Sequence, residues 1–304
     1  MSSQLSSQPW AKQIIAALTA MGIALPTIPP VEELPVIGDA YVQAYNSLPA
    51  NVKQQVPPSL RPHQPKAKSG TSGKAPAKPV RPAPDAQAKL HQLVQDVVGR
   101  HGGRAAISVA GAGAHLTAGD NRAEPAFSTM KVPLSIAALR QSPDFANDAR
   151  LAVTVSDNPA AHRMFAKVPS SAYGGVIAEA GSKTTTPAGY EMGTMWTASD
   201  QAQFASGLRC VKGHEPVLGL MGEITRDQRW GLGQIGGARF KGGWNVYQGG
   251  YLARQFGLIP GPNGDIAVAI TAFSNGGYAE STQMLNELAR GIEGMRGGLP
   301  TSRC

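Results

Sequence analysis

The segments with strand character fall into two groups that lie far apart along this chain. Residues 104–110 and 115–118 form the first group, whereas 240–244, 251–259 and 265–273 lie near the end. Short apolar runs of this kind, bounded by glycine and proline turns, are typical of strands. Strands must pair to satisfy their backbone hydrogen-bonding groups. Both groups are therefore expected in one sheet, with the residues between them forming a separate helical lobe.

Helical patterns surround this sheet. Apolar residues recur with helical spacing after Asp85, a residue type that often begins helices, and the pattern stops at Gly102 and Gly103. Further helices are predicted from Ser128 to Arg140, from Asp148 to about Ala166, and from about Glu280 to Gly294. The expected fold is α+β, with an antiparallel five-stranded sheet flanked by N- and C-terminal helices and a small inserted all-helical lobe. A cleft between lobe and sheet is the natural place for a site.

A basic, proline-rich segment divides the chain of 304 residues. Residues 61–84 are rich in proline, alanine, glycine and serine and contain no acidic residue before Asp85. This composition predicts an extended linker. We expect three parts: an N-terminal export segment and irregular region over 1–60, the linker over 61–84, and a folded domain over 85–304.

The formal net charge of +8 raises the question of a nucleic-acid partner. Much of the excess lies in the linker, which cannot form a groove, at Arg61, Lys66, Lys68, Lys74, Lys78 and Arg81. The segment is either a solvated, self-repelling tether or a site of attraction to an anionic polymer of the cell envelope. No nucleic-acid partner is expected, and the protein is expected to be a monomer.

An apolar segment near the N-terminus suggests export. Ile14 to Leu25 is apolar and follows Lys12. It is too short to cross a bilayer but suits the apolar region of a signal peptide. We expect an extracellular or cell-envelope protein that meets a membrane only through this segment, if the segment is retained.

The two cysteines, Cys210 and Cys304, belong to no Cys/His cluster. In an exported protein they either form a bridge, which we predict, or remain two free thiols. The histidines show no ligand spacing, so no metal and no cofactor is expected.

The most informative pair of residues is Ser128 and Lys131. It is the only S-x-x-K pair in the chain. Residues three apart share a helix face, so the lysine amine can reach the serine hydroxyl. A serine becomes a nucleophile when a neighbouring base takes its proton, and burial makes a lysine such a base by lowering its pKa.

Two further motifs follow in the chain. Ser156, Asp157 and Asn158 form S-D-N, which is either an ordinary helix-to-helix turn or a proton relay with an amide that binds substrate. Lys241, Gly242 and Gly243 lie at the start of a predicted strand. Paired glycines there allow close approach of a substrate backbone to an exposed strand edge, although a bulge beside a solvated lysine fits the pattern as well.

Taken together, the three motifs resemble the S-x-x-K, S-D-N and K-T-G elements of class A β-lactamases and penicillin-binding proteins. The resemblance covers roughly residues 85–304 and is nearest to compact actinobacterial β-lactamase-like serine hydrolases. It implies a β-lactamase/transpeptidase-like fold and a catalytic domain over 85–304.

The resemblance also implies a role for each motif residue. Ser128 is the expected nucleophile, Lys131 its base, and Ser156 the group that passes a proton to the leaving atom. Lys241 is expected to stabilise a substrate carboxylate and to tune Ser156.

The remaining residues of the motifs are expected to bind substrate. Asn158 would bind a substrate amide, and Gly243 and Trp244 would line the strand edge. The oxyanion hole would consist of the backbone N–H groups of Ser128 and Trp244.

Three departures from this pattern bear on activity. Gly242 stands where the family has a hydroxyl residue, so an arginine is expected to compensate, the candidates being Arg226, Arg229, Arg239 and Arg254. The short spacing from Ser128 to Ser156 predicts a minimal lobe and an open cleft. No E-x-x-L-N segment follows Asn158, and only Glu179 and Glu191 lie in the relevant region.

Two classes of function follow. The first is a serine hydrolase or acyltransferase that forms an acyl-enzyme on Ser128 with a cell-wall D-alanyl peptide, another amide or ester, or a β-lactam. Without the glutamate that activates water, β-lactam release is expected to be weak or absent. The second is a catalytically impaired module that binds penicillin or wall fragments. The partner in both cases is a small-molecule or peptide substrate derived from peptidoglycan or resembling a β-lactam.

Overall fold

The computed structural model describes residues 48–54, 56, 81–188 and 193–304. The chain divides into two units, Met1–Ala75 and Pro76–Cys304, of which the first contains the short helix α1 at Ala50–Lys53. The predicted export segment and most of the predicted linker lie outside the described residues, so the three predicted parts of the chain stay predictions. Among the helices described, none combines the length and the apolar character that a membrane span requires.

The second unit is built on the five-stranded antiparallel sheet that the sequence predicts. Its strands are β1 (Arg104–Gly111), β2 (Ala114–Gly119), β5 (Arg239–Tyr247), β6 (Gly250–Gly261) and β7 (Gly264–Ser274). Their order across the sheet is β2-β1-β7-β6-β5, so β7 from the end of the chain pairs with β1 from its beginning. This leaves β5 at one edge, with one row of backbone groups not used by the sheet.

Helices cover both faces of the sheet. Helix α2 (Ala86–His101) and the C-terminal helix α9 (Gly277–Gly294) pack together on one face, and α7 (Ala198–Gly207) packs on the other. The central strands β1, β6 and β7 are buried along nearly their whole length, as expected for strands covered on both sides. The aromatic rings of Trp196, Phe204 and Phe256 meet between α7 and the sheet.

Most of the residues between β2 and β5, apart from α7, form the helical lobe. It contains α3 (Lys131–Gln141), α4 (Ala146–Thr154), α5 (Asn158–Phe165), α6 (Ser170–Glu179) and α8 (Glu215–Leu220). A second, two-stranded sheet joins β3 (Glu124–Pro125) to β4 (Met195–Trp196) at the base of the lobe. The short strands of this small sheet carry no alternating pattern, and the sequence did not indicate them.

The helix predicted from Asp148 to about Ala166 is in fact two helices. Helix α4 ends at Thr154, and Ser156 adopts a left-handed backbone conformation with φ of 59°. The carboxylate of Asp157 then caps α5 by accepting a hydrogen bond of 2.6 Å from the backbone N–H of Ala160. The region is thus helical as predicted, and S-D-N forms the helix-to-helix turn that was one of the two interpretations of this motif.

The C-terminus is attached to the domain by the predicted disulfide. Cys210 and Cys304 are bonded, with their Cα atoms 5.6 Å apart, and close a loop of 94 residues. Nearby, the Ser206 hydroxyl accepts a hydrogen bond of 2.8 Å from the backbone N–H of Arg303. The bridge therefore connects the end of the chain to the residues that directly follow α7.

An ionic cluster joins the two helices on one face of the sheet. His101, at the end of α2, lies between Glu280 and Glu287 of α9, with Nε2 at 2.9 Å from a Glu287 oxygen. The hydrogen bonds that His101 donates to both carboxylates, Glu287 first, raise the pKa of His101 although burial opposes them. Burial raises the pKa of Glu287, but His101 and Arg100 outweigh it and lower that pKa to about 2.

This cluster makes stability depend on pH. Because the pKa of His101 is raised on folding, its contribution is complete below its unfolded pKa and is lost as the pH rises through the folded value. The contribution of Glu287 is lost as the pH falls toward 2. His101→Gln should therefore cost roughly 1 kcal/mol at pH 5.5, or a few degrees in Tm, and little at pH 9.

Thermal unfolding of both proteins across pH 4–9 measures this difference. His91→Gln, at an exposed position of the same helix, is the matched control. An equal loss of Tm by His101→Gln at pH 5.5 and pH 9 would show that the cluster is not ionic in the folded protein.

Candidate active site

Ser128 lies in a tight turn at the start of the lobe. Residues Phe127–Met130 form a 3₁₀ helix that runs directly into α3. Phe127, immediately before Ser128, has φ of 48°, a left-handed conformation that is costly for an aromatic residue and persists only when neighbours impose it. Ser128 itself is partly exposed, so it is accessible from the cleft.

Lys131 connects this turn to the S-D-N motif. Its side chain is fully buried. The Nζ amine donates hydrogen bonds of 2.6 Å to the backbone oxygen of Ser156 and of 2.6 Å to Oδ1 of Asn158. It also lies 3.4 Å from the Ser156 hydroxyl. The first and second motifs are thus joined through one amine.

Lys241 of β5 reaches the same hydroxyl from the other side. Its amine donates to Ser156 Oγ at 3.0 Å and to the backbone oxygen of Gly242 at 3.0 Å. Burial, and secondarily the charge of Lys131, lower the pKa of Lys241 well below its usual value. Two buried amines therefore share one serine hydroxyl, and like charges this close favour loss of a proton from the pair.

Gly243 allows β5 to touch the Ser128 turn. A Cβ atom at this position would lie 2.9 Å from the Ala126 oxygen, from Phe127 Cβ and from Ser128 N. Real side chains do not approach that closely, so only glycine fits. The strand edge and the backbone N–H of Ser128 are consequently brought side by side.

The N–H group of Trp244 faces the free edge of β5. The N–H of Phe240 donates to the Met221 oxygen, which lies outside the sheet. Backbone groups alternate in direction along an antiparallel strand, so residues 242 and 244 direct theirs to the same edge. Trp244 N–H and Ser128 N–H are therefore the pair of donors that a carbonyl bound between β5 and the turn would meet.

The space beside Gly242 is taken by an aromatic ring. A Cβ at this position would lie 3.1 Å from Cη2 of Trp230. Trp230 packs edge-on to Trp244 with ring centroids 5.6 Å apart. Trp230 was not among the predicted site residues, although a glycine in place of a larger residue at position 242 is a signal that another group fills the space.

Of the four candidate arginines, Arg254 lies in the interior of the domain, where its side chain is hydrogen-bonded to other protein groups. It is fully buried, and its guanidinium donates to the oxygens of Glu124 and Pro125 at 3.0 and 3.1 Å and to Gln201 at 2.9 Å. Burial lowers its pKa to about 10, although Glu124 acts in the opposite direction. Because these contacts hold the chain just before Ser128, Arg254 supports the turn and is not available to a substrate.

Arg229 and Arg226 differ in how accessible their side chains are to a substrate. The guanidinium of Arg229 lies 5.8 Å from the ring centroid of Phe240. Arg226 is exposed, and its 3₁₀ turn is fixed beside the S-D-N motif, because the Thr225 N–H donates to the Thr154 oxygen at 2.9 Å. Among the four candidates, Arg226 is therefore both exposed and held next to the site. Arg239 is partly buried at the start of β5.

Gln201 is a second residue that sequence reasoning missed. Its amide nitrogen donates to the Thr129 hydroxyl at 2.9 Å, and its oxygen accepts from Arg254. The Thr129 hydroxyl in turn donates to the Ala126 oxygen at 2.5 Å. A buried polar chain thus runs from β6 through α7 to the turn that carries Ser128.

The two glutamates considered for water activation are placed differently. Glu179, at the end of α6, forms an ion pair of 2.7 Å with Arg140 and accepts a hydrogen bond from the Lys212 N–H. These contacts attach it to neighbouring segments of the lobe. Glu191 lies outside the described residues.

Comparison with solved structures identifies the fold. A class A β-lactamase from Bacteroides cellulosilyticus is 13% identical, with a TM-score of 0.60 over 69% of this chain and 97% of that one. A β-lactamase from Sphaerobacter thermophilus is 19% identical, with a TM-score of 0.56 over 70% and 98%. One from Chitinophaga pinensis is 16% identical, with a TM-score of 0.56 over 66% and 97%. The chain therefore has the β-lactamase-like fold that its motifs predicted.

Comparison of sequences adds nothing further. No protein-family model matches the chain, and no curated protein matches it. At these low identities the likeness to the solved structures is one of fold, so the chemistry has to be argued from the site itself.

Gly243→Ala should separate the strand edge from the Ser128 turn. The added methyl group would have to displace the backbone of the turn, at a cost of about 1–3 kcal/mol in the free energy of unfolding. Labelling of Ser128 by a fluorophosphonate should fall on the order of 100-fold, because small misplacements of reacting groups are expensive.

Denaturant unfolding and the rate of labelling measure the two effects. Gly236→Ala is the control, since a Cβ there has nothing within 4 Å. If Gly243→Ala labels at the same rate as the parent protein, the close contact has no part in reactivity.

Proposed function

We propose that this protein is a serine hydrolase or acyltransferase that forms an acyl-enzyme on Ser128. Its substrates would be a cell-wall D-alanyl peptide, another amide or ester, or a β-lactam. The observation that carries the proposal is the Ser156 hydroxyl, held 3.0 Å from one buried lysine amine and 3.4 Å from another, beside the turn of Ser128. Such an arrangement suits proton transfer from a nucleophile to a leaving group.

In the first step the Ser128 oxygen attacks the substrate carbonyl carbon. Its proton passes to a neutral amine of the lysine pair, in which Lys131 is the proposed base. The carbonyl oxygen becomes an oxyanion that accepts from the N–H groups of Ser128 and Trp244. Each such donor contributes on the order of 3 kcal/mol to lowering the barrier.

In the second step the tetrahedral intermediate collapses. The proton returns through the Ser156 hydroxyl to the leaving nitrogen or oxygen, and the bond from carbon to that atom breaks. The acyl group remains on Ser128 until water or another acceptor attacks it. Asn158, exposed at the start of α5, would bind the amide of the acyl group.

Release of a β-lactam product is expected to be slow. The chain has no E-x-x-L-N segment after Asn158 to hold the water that would attack the acyl-enzyme. The same feature, with Gly242 in place of a hydroxyl residue, favours the second candidate, a module that binds penicillin or wall fragments without turnover. The two candidates differ only in the fate of the acyl group.

Arg226 is the arginine that we assign to a substrate carboxylate. It is the exposed candidate next to the S-D-N turn, whereas Arg254 is buried.

We also propose export to the cell envelope, supported by the apolar segment over 14–25 and compatible with the disulfide.

Intact-mass spectrometry tests the nucleophile. Incubation with penicillin, and separately with a fluorophosphonate, should add one equivalent to the parent protein and none to Ser128→Ala. Ser170→Ala, at an exposed serine of α6, is the control and should label normally. An adduct that forms equally in Ser128→Ala would refute the proposed nucleophile, and decay of the penicillin adduct within seconds would refute slow release.

Replacement of Arg226 tests the assignment of the carboxylate partner. Arg226→Ala should lower the rate of Ser128 acylation by dilute penicillin about tenfold, since one charged hydrogen bond is lost, and should leave fluorophosphonate labelling unchanged. Arg150→Ala, at an exposed arginine of α4, is the control. An unchanged penicillin rate in Arg226→Ala would disprove the assignment.

A further inference from the structure

Three aromatic rings line the end of the site beyond Gly242. Trp230 and Trp244 meet edge-on, and the ring of Tyr278, at the start of α9, has its centroid 6.4 Å from that of Trp244. Tyr278 retains 39% of its surface and Trp244 is partly exposed, whereas Trp230 is buried behind them. We call these three residues the aromatic wall.

The aromatic wall borders the reacting centre. The amine of Lys241, which binds the Ser156 hydroxyl, lies 5.9 Å from the ring centroid of Trp244. The backbone N–H of the same Trp244 faces the edge of β5 where the scissile carbonyl would bind. A group attached to that carbonyl therefore needs to extend only a few bonds to reach the rings.

The rings are fixed in place rather than adaptable. Trp230 is buried and packs closely against Gly242, with Cη2 3.1 Å from the position of a Cβ there. Tyr251 packs edge-on against Tyr278 with centroids 5.6 Å apart. A preformed surface of this kind binds a flat apolar group without the cost of ordering flexible side chains.

We propose that the aromatic wall is a specificity site that selects substrates with an uncharged, flat, apolar group, such as a phenyl ring, next to the scissile carbonyl. This rests on the proposed acyl-enzyme at Ser128 and specifies the kind of amide or ester that forms it. The hydroxyl that the β-lactamase-like pattern would supply at position 242 is replaced here by aromatic surface. Recognition at this end is accordingly by ring stacking and burial of apolar area.

A pair of esters with one leaving group tests the proposal. Phenylacetyl and acetyl p-nitrophenyl esters release the same product, so the ratio of their kcat/KM values for acylation, corrected for their reactivity in buffer, reports recognition of the ring alone. The parent protein should prefer the phenylacetyl ester by at least about tenfold, the scale expected for burial of one ring.

The variant Trp244→Ala keeps the backbone N–H and should reduce this preference to about twofold or less. Val246→Ala, 65% exposed and two residues further along β5, is the matched control and should keep the full preference. Tyr278→Leu, outside the sheet, should lower the preference partly, which guards against misfolding of Trp244→Ala.

The outcomes separate this proposal from the proposed function. If a fluorophosphonate fails to label Ser128, the acyl-enzyme itself is refuted. If Ser128 is labelled but the esters react equally, or neither reacts, the aromatic wall has no role in specificity. An undiminished preference in both Trp244→Ala and Tyr278→Leu would likewise overturn the proposal.

Discussion

The site depends on one close contact between the edge of the sheet and the lobe. Because residue 243 has no side chain, β5 approaches the turn of Ser128 to a distance that no other residue permits. The contact brings the backbone N–H groups of Ser128 and of the β5 edge at Trp244 together. It also holds Phe127 in its left-handed conformation. It also sets Lys241, two residues earlier, against the S-D-N turn. The three motifs, far apart in the sequence, meet because this contact is made.

The second constraint is electrostatic. Lys131 and Lys241 are both fully buried and both reach Ser156. An isolated buried ammonium is costly, and a second one nearby adds repulsion. The Lys131 amine donates to the Ser156 backbone oxygen and to Asn158 Oδ1 and lies 3.4 Å from the Ser156 hydroxyl, whereas the Lys241 amine donates to that hydroxyl and to the Gly242 backbone oxygen. Burial, and secondarily the charge of Lys131, lower the pKa of Lys241.

Much of the fold was predictable because it follows from local pattern. The five strands lie within a few residues of their predicted bounds, and the need to satisfy backbone groups predicted that strands from both ends of the chain share one sheet, although it did not specify that β1 pairs with β7. The positive φ angles of Phe127 and Ser156 were not predictable, since neither residue favours that conformation and tertiary contacts impose it. The burial of Arg254 and the position of Trp230 likewise depend on which segments meet in space, and no periodicity in the sequence encodes that.

Arg254 and Trp230 are held beside the site by contacts within the protein. Arg254 pairs with Gly243 in the sheet, a position from which its guanidinium could bind either a substrate or other protein groups. Here it donates hydrogen bonds to three protein acceptors, namely the backbone oxygens of Glu124 and Pro125 and the side-chain oxygen of Gln201. A buried arginine with all its acceptors in place is expensive to free, so this choice is stable. Moving Trp230 from its position beside Gly242 would also be unfavourable, because it would leave a cavity in a packed region. Internal contacts of Arg254 and the ring of Trp230 thus occupy this end of the cleft, whereas the amines of Lys131 and Lys241 both lie within 3.4 Å of the Ser156 hydroxyl.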